Sequence, residues 1–374
     1  MKQKLTNSRI SSFKECRRRH LYEYEIGLRR IDEARALRMG DAFHSGLEEL
    51  GKGEGLESAC AAVRFKYANC PEHFDLYDWM IECETILRLV CAYQWRWSNM
   101  PLEYVQTEFV FQLPLVYPET GKPTPIFDIA GKIDGIVRLE DGRLAIKETK
   151  TVSEDVSLNS DFWRRLRMDQ QITLYILAAR KMGYQVDAVL YDVARKPSIA
   201  PTPVPYLDEN GIKIVMDSKG YRVQNKNGKW RQTGDTELGY VLQSRPMTPV
   251  EWGNKLTEDI VSRPEFYFAR VEIARLDQDI AEFEHELWAV QQAIRDAQNT
   301  NRWFRTVNRH SCKYCSFFDP CCTNQEINPA SPPIGFEIVT DLHPELSNVN
   351  RTAADPARTE TSAAPAAANS EVSA

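Results

Sequence analysis

The stretch Gly131–Lys150, GKIDGIVRLEDGRLAIKETK, decides how this chain folds. Its first half alternates apolar and polar residues over Ile133–Arg138, and its second half does so over Leu144–Lys147. Alternation with a period of two is typical of β-strands, and the pair Asp141-Gly142 between the halves is a common hairpin turn. The sequence therefore predicts two antiparallel strands joined by a tight turn.

Three charged side chains of this hairpin are predicted to converge. Alternation puts Glu148 and Lys150 on one face of the second strand, and Asp134 lies on the neighbouring strand. The two carboxylates suit Mg²⁺ or Mn²⁺, a cation that acidifies its water and offsets charge during phosphodiester hydrolysis. Lys150 would orient or polarise the attacking water. The alternative is an exposed hairpin with solvated charges, which this motif alone leaves open.

Other motifs flank the hairpin in a fixed order: Gly40-x-x-x-His44, Asp134, Glu148-x-Lys150 and Gln171-x-x-x-Tyr175, bracketed by Cys16 and by Cys312-x-x-Cys315-x(5)-Cys321. This ordered set resembles the PD-(D/E)XK nuclease superfamily. It resembles in particular the RecB-like branch with an iron-sulfur cluster, which includes the AddB nuclease domain and the CRISPR-adaptation nucleases. The resemblance covers roughly residues 5–325, and Ile133 stands where the proline of the family's name would be.

The resemblance implies a metal site at the catalytic centre. Its ligands would be His44, Asp134, Glu148 and the backbone carbonyl of Thr149. Lys150 would position the water. A structural histidine on a helix is the alternative for His44. If His44 is a ligand, we expect activity to fall below about pH 6 as the imidazole protonates.

Gln171 and Tyr175 lie one turn apart on a predicted helix that covers residues 161–183. By resemblance the pair lies near the active site, where an amide and a phenol can donate hydrogen bonds to phosphate oxygens or nucleobases. The alternative is an ordinary polar edge of a core helix.

The four cysteines Cys16, Cys312, Cys315 and Cys321 are expected by resemblance to bind a [4Fe-4S] cluster. Zinc also accepts four thiolates, so the C-x-x-C pair alone leaves zinc open. Cys322 adjoins Cys321 and could supply the fourth sulfur instead. The chain has nine cysteines, an odd number, and in a reducing compartment metal ligation explains the clustered ones better than disulfides do.

Composition indicates an ordinary globular protein: 374 residues, 43% hydrophobic and 27% charged. No run approaches the roughly 18 apolar residues of a membrane span, and the N-terminus lacks a signal-peptide apolar region. We therefore expect a cytoplasmic protein of a bacterium or a phage-infected cell, with no membrane partner. The net charge of -6 argues against a uniformly basic nucleic-acid coat, but Arg164-Arg165-x-Arg167 concentrates positive charge locally.

The predicted fold class is α/β. The resemblance implies a restriction-endonuclease-like core, with a central mixed sheet flanked by helices and an iron-sulfur cysteine motif near the C-terminus. We predict one nuclease domain at 1–329, with a turn-rich insertion at about 196–245 and a long helix at about 266–298. Heptad spacing of Ile273, Ile280, Leu287 and Ile294 would pack this helix on another, within the chain or across a homo-oligomer. The Ala/Pro/Ser/Thr-rich segment 330–374 is expected to be disordered.

These features predict a Mg²⁺- or Mn²⁺-dependent DNA exonuclease that acts on strand ends or single strands. Recombination, repair and phage DNA metabolism are the roles that the resemblance implies, and a helicase or recombination partner could feed the site. Two alternatives stay open: a catalytically inert DNA-binding protein of the same fold, and a zinc-binding interaction protein.

Overall fold

The computed structural model of the protein describes residues 2–32 and 34–346. In these ranges the helices are α1 (Asn7–Glu15), α2 (Arg17–His20), α3 (Arg35–Lys52), α4 (Gly55–Lys66), α5 (Leu76–Trp97), α6 (Asp161–Leu166), α7 (Gln170–Lys181), α8 (Pro249–Ser262), α9 (Pro264–Tyr267), α10 (Asp277–Thr300), α11 (Arg309–Lys313) and α12 (Phe318–Cys322). A π-helical segment covers Leu21–Ile26 and a 3₁₀ turn covers Pro344–Leu346. No described helix is long and apolar enough to cross a membrane.

The strands are β1 (Gln3–Leu5), β2 (Leu28–Arg30), β3 (Glu103–Val116), β4 (Pro123–Arg138), β5 (Leu144–Val152), β6 (Val186–Arg195), β7 (Val204–Pro205), β8 (Val215–Met216), β9 (Val241–Leu242), β10 (Ser244–Arg245), β11 (Phe268–Ala274) and β12 (Phe336–Ile338). In the described part of the chain, six of them form one sheet in the order β1-β4-β5-β6-β11, with β3 also paired to β4. The β1–β4 and β5–β6 pairs are parallel and the others are antiparallel. The sheet is therefore mixed, as predicted.

The predicted hairpin is confirmed. Strands β4 and β5 are antiparallel, in a register that pairs Gly135 with Lys147 and Arg138 with Leu144. The turn between them is closed by hydrogen bonds from Leu139 N to the Arg143 carbonyl, at 2.8 Å, and from Gly142 N to the Leu139 carbonyl, at 2.9 Å. Gly142 has a φ of 86°, which only glycine adopts without strain.

Helices cover both faces of the sheet, which confirms the α/β class. The larger core joins the sheet to α1, α7 and α10 and contains Ile146 of β5. A second core is built from α3, α4, α5 and α8. Ala145 packs with Ala188 in a separate small cluster, so neighbouring residues of β5 face opposite sides. Glu148 and Lys150 therefore share the face of Ile146.

The predicted long helix begins later than expected. Residues 268–274 form β11, which pairs with β6 along its whole length, and Ile273 lies opposite Val189 on this strand. The heptad spacing gave a wrong prediction at Ile273, because a buried strand residue can be in phase with the apolar positions of a helix that begins shortly after it. From Ile280 onward the apolar face is buried against other helices of the same chain, which favours packing within the chain.

Residues 196–245 form a turn-rich extension with the short pairs β7–β10 and β8–β9. The predicted disordered segment from residue 330 onward differs at its start. Phe336–Ile338 forms β12, antiparallel to β2, and Phe336 stacks on Phe317 with 5.9 Å between ring centroids. Phe336 and Ile338 are apolar and therefore can pack. Residues 347–374 lie outside the described residues, so the prediction for them stays a prediction.

Candidate active site

The two carboxylates of the hairpin lie where β4 and β5 separate. The last residue pair of the ladder is Gly135–Lys147, and Asp134 and Glu148 come directly after it on the two strands. The Thr149 N–H donates to Asp134 Oδ2 at 2.8 Å, so a side chain takes the place of the next carbonyl acceptor. His44 on α3 brings Nδ1 to 3.5 Å from the same oxygen.

Lys150 is held by three neighbours. Its Nζ donates to Glu148 Oε1 and to Gln171 Oε1, both at 3.0 Å, and lies 3.6 Å from Asp169 Oδ2. A long lysine side chain normally samples many rotamers, and these partners reduce that freedom. The ammonium is therefore fixed beside the Glu148 carboxylate.

The predicted pair Gln171 and Tyr175 lies next to Lys150. The Gln171 amide N donates to the Tyr175 hydroxyl at 3.0 Å, while its amide oxygen accepts from Lys150. Tyr175 is buried against Gly131 of β4, where an added Cβ would come within 3.0 Å of its ring and 2.8 Å of Phe111. The pair thus connects the lysine to the core.

Sequence reasoning missed Asp169. It is the N-cap of α7, and its Oδ1 accepts from the Gln171 N–H at 3.0 Å. Its Oδ2 accepts from the Tyr191 hydroxyl at 3.2 Å and faces Lys150. The sequence predicts one helix over 161–183, which puts Asp169 inside it. The structure has two helices there, α6 and α7, and Asp169 caps the second, a position that capping preference explains only once the break is known.

A second lysine, Lys147, lies on the opposite face of β5 and was also missed. Its side chain is buried, and its Nζ donates to Thr149 Oγ1 at 2.6 Å and lies 3.9 Å from Asp192 Oδ2. Arg270 Nε donates to the same Asp192 oxygen at 3.2 Å. Cationic side chains therefore lie on both faces of β5, with Lys150 on one face and Lys147 on the other.

Burial and neighbouring charges move the acidities of the site in different directions. Burial raises the pKa of Glu148 to about 7; Asp134 adds to this and Lys150 opposes it. Burial also acts on Asp134, but the charges of His44 and Lys147 outweigh it and the pKa of Asp134 is lowered. Burial lowers the pKa of His44. Of these three groups, Glu148 is the one whose pKa lies near neutral pH.

A further acidic pair borders the site. His44, Glu48, Glu108 and Asp134 line a small cavity of about 20 Å³ beside α3. Burial and the adjacent Glu48 raise the pKa of Glu108 to about 7, although Lys132 forms an ion pair with it.

The donor atoms suit a hard divalent cation, which prefers oxygen and imidazole ligands. Glu148 Oε2 is buried and has no hydrogen-bond partner among the described residues, which would be costly without a ligand. Across residues 2–32 and 34–346, no three His, Cys, Asp or Glu side chains are already grouped in an ion-binding arrangement. Asp134 contacts His44 and the Thr149 N–H, and Glu148 contacts Lys150.

The predicted cysteines lie together in a region separate from the hairpin carboxylates. They line one cavity of about 320 Å³: Cys16, Cys312, Cys315, Cys321 and Cys322. Arg18, Arg19 and Arg305 border the same space. Cys321 is partly buried against Phe317, whereas Cys322 is exposed and its thiol donates to the Asp319 carbonyl at 3.4 Å.

Comparisons with known proteins agree with this arrangement at the level of the family. A family model described as PD-(D/E)XK nuclease superfamily matches residues 4–322. A search of curated proteins gave no significant match. A solved structure described as "Crystal structure of SSO0001" aligns with 87% of this chain and 89% of its own, at 14% identity and a TM-score of 0.33. That score is too low to support any conclusion.

Proposed function

Because the chain belongs to the PD-(D/E)XK nuclease superfamily, we propose that it hydrolyses DNA phosphodiester bonds with Mg²⁺ or Mn²⁺ bound between α3, β4 and β5. The observation that carries this proposal is the buried Glu148 Oε2, which has no hydrogen-bond partner among the described residues and lies next to Asp134 and a fixed Lys150. A buried carboxylate oxygen that has no hydrogen-bond partner is stabilised when a cation binds to it. The positive charge of Lys150 beside it attracts an anionic substrate.

Four ligand positions hold the cation in this proposal: His44, Asp134, Glu148 and the carbonyl of Thr149. When bound, the cation acidifies a water molecule and offsets charge on the scissile phosphate. Lys150 orients the attacking water and donates to the phosphate as its charge increases. Gln171 keeps the ammonium at that point, because its amide oxygen accepts from Nζ and its amide nitrogen is tied to Tyr175.

We assign DNA strand ends as the substrate, and thus exonuclease action, from the resemblance to the RecB-like branch. The same resemblance is the basis for a role in recombination, repair or phage DNA metabolism, with a helicase or recombination protein as a partner. The test uses end-labelled linear DNA and closed circular DNA with Mg²⁺, Mn²⁺ or EDTA. An exonuclease shortens the linear DNA and spares the circle. Cutting of the circle would contradict exonuclease action, and no cutting with Mn²⁺ would contradict the nuclease proposal itself.

We also propose that Cys16, Cys312, Cys315 and Cys321 hold a [4Fe-4S] cluster. The support is that all four thiols line one cavity of about 320 Å³, and the resemblance to the iron-sulfur branch favours a cluster over a single zinc ion. Three arginines border the cavity and would offset the negative charge of thiolate ligands. Cys321 is preferred to Cys322 because it packs beside Cys315 and Phe317, while Cys322 is exposed.

A further inference from the structure

A third cavity, of about 480 Å³, is separate from the proposed active site and from the cysteine cavity. It is bordered by the first turn of α3, by α5 and α8, and by the segments that follow β5 and β6. None of the proposed metal ligands lines it. Its walls combine two cations with apolar side chains, which is the usual composition of a pocket for an amphipathic small ligand.

Lys196 provides the main charge of this cavity. Its Nζ donates to the Ala36 carbonyl at 3.3 Å, and no carboxylate of the described residues lies within ion-pair distance of it. Burial and the adjacent Arg35 lower the pKa of Lys196. Glu82 acts on Lys196 in the opposite direction but less strongly than Arg35, so this half-buried ammonium, with no carboxylate in direct contact, gains electrostatically when an anion binds.

Neighbouring carboxylates do not supply that anion. Glu82 already accepts from Arg38 at 2.7 Å and from Tyr67 at 2.9 Å, and it lies 2.8 Å from Arg35. Asp78 lines the cavity but is exposed at its rim. The helix α3 adds to the positive potential, because its N-cap Ala34 has no side-chain cap and Ala36 of its first turn borders the space.

The rest of the wall is apolar, with Met39, Ile81, Ile199 and Trp252 among the lining residues. A phosphate would fit the cationic side and a flat nucleobase the apolar side. We propose that this cavity binds one nucleotide of the DNA strand that passes through the active site, with Lys196 and Arg35 on its phosphate. The inference rests on the proposed nuclease function.

Two elements connect the cavity to the active site. On α3, Ala36, Gly40 and His44 are spaced by four and share one face, and the distance from Ala36 to His44 is about 12 Å at the rise of an α-helix. On β5, the chain from Lys150 to the cavity residue Ser153 extends about 10 Å. Gly40 packs closely on β5, since an added Cβ would be 3.3 Å from Thr151 Oγ1. The cavity is therefore a few nucleotides from the scissile phosphate.

The test measures binding of a fluorescent single-stranded oligonucleotide by anisotropy, in a Glu148→Gln background that prevents cleavage. We expect Lys196→Gln to weaken binding threefold to tenfold and to lower the salt dependence of log K by about 0.7, the value for one single-strand phosphate contact. Lys196→Arg should bind like the parent. The matched control is Lys226→Gln, which removes the same charge from an exposed position of the extension.

A second variant tests the cavity without changing charge. Ala200 lines the space and is exposed, so Ala200→Trp should fill the cavity, leave the melting temperature unchanged and weaken binding to a similar degree. Equal affinities for Lys196→Gln and Lys226→Gln would overturn the inference while leaving the nuclease proposal intact. If the parent neither binds nor cuts DNA, the proposed function fails instead. Binding of free dAMP that depends on Lys196, with oligonucleotide affinity unchanged, would make this a free-nucleotide site and overturn the strand path.

Discussion

The proposed active site and the cysteine region are organised in opposite ways. In the active site the charged groups bind one another: Lys150 contacts Glu148 and Gln171 at 3.0 Å, and Asp134 accepts from Thr149 at 2.8 Å. In the cysteine region the sulfurs line a cavity of about 320 Å³, and the hydrogen bonds of Cys16 and Cys322 are to backbone groups. The side chains of the proposed active site are thus held by one another, whereas the cysteines surround a cavity that a ligand could fill.

Because of this difference, we expect substitutions in the two regions to affect different properties, turnover in one and stability of the fold in the other. A change in the active site should reduce turnover and leave the fold largely intact, because the surrounding core does not depend on a bound ion. A change among the cysteines should reduce stability, because the proposed cluster would link Cys16 near one end of the domain to cysteines near the other.

The largest effect is expected for Cys315→Ser. Loss of the proposed cluster removes a cross-link that closes a very long loop, so the free energy of unfolding should fall by about 5 kcal/mol by analogy with a disulfide. The variant and the parent are purified without oxygen and compared by iron content, acid-labile sulfide, absorbance near roughly 400 nm and thermal unfolding. Cys83→Ser, in the helical second core, is the control and should keep the colour. A colourless parent that holds zinc would contradict the iron-sulfur assignment.

The same measurements on Cys321→Ala and Cys322→Ala identify the fourth ligand. We expect the cluster to be lost in Cys321→Ala and kept in Cys322→Ala, because Cys321 is the partly buried sulfur beside Phe317. The reverse result would reassign the ligand to Cys322.

Lys150→Ala should lower turnover by about 10²- to 10³-fold, the usual loss when one preorganised transition-state donor is removed. The melting temperature should change little. Single-turnover cleavage and thermal unfolding provide the two readings, and Lys181→Ala, a partly exposed lysine paired with Glu284, is the control. Cleavage at the parental rate would place the active site elsewhere.

The third effect is a pH dependence of metal binding. The pKa of Glu148 is raised from about 4.5 to about 7, so the carboxyl is protonated below neutral pH, and a cation must displace that proton. Affinity for Mn²⁺ should therefore fall by about tenfold per pH unit below 7, and binding there should release one proton, measured by calorimetry. Without a cation, the protonated carboxyl contributes stability at low pH, and this is lost as the pH rises through 7. If the affinity for Mn²⁺ does not change between pH 5.5 and 8, Glu148 is not the titrating ligand.

The smallest effect is expected for Gln171→Ala, which frees Lys150 from one of its three neighbours. The rate constant kcat should fall by about threefold to tenfold with KM unchanged, because the lost hydrogen bond fixes a reacting group and not the substrate. The neighbouring Gln170→Ala is the matched control, since Gln170 contacts only Asn7, Ser11 and Lys14 among the described side chains. Equal kinetics of the two variants would remove Gln171 from the site.

The sequence predicted the hairpin because alternation and an Asp-Gly turn are local signals, which nearby residues determine. It did not predict Asp169 beside Lys150, because that contact depends on how α7 packs on the sheet. Lys147 was missed for the same reason, since its partner Asp192 lies on another strand. Ile273 was assigned to a helix because its heptad phase matched, while the open edge of β6 determines that it lies on a strand. The raised pKa of Glu148 likewise requires knowledge of burial.

The pairing of β12 with β2 has a practical consequence for where the domain ends. A protein cut at residue 329 would lose this ladder and the stacking of Phe336 on Phe317, next to the cysteine cavity. Such a shortened protein would keep every sequence motif and still expose apolar surface, which favours aggregation during expression. Truncation for crystallisation should therefore begin after Leu346.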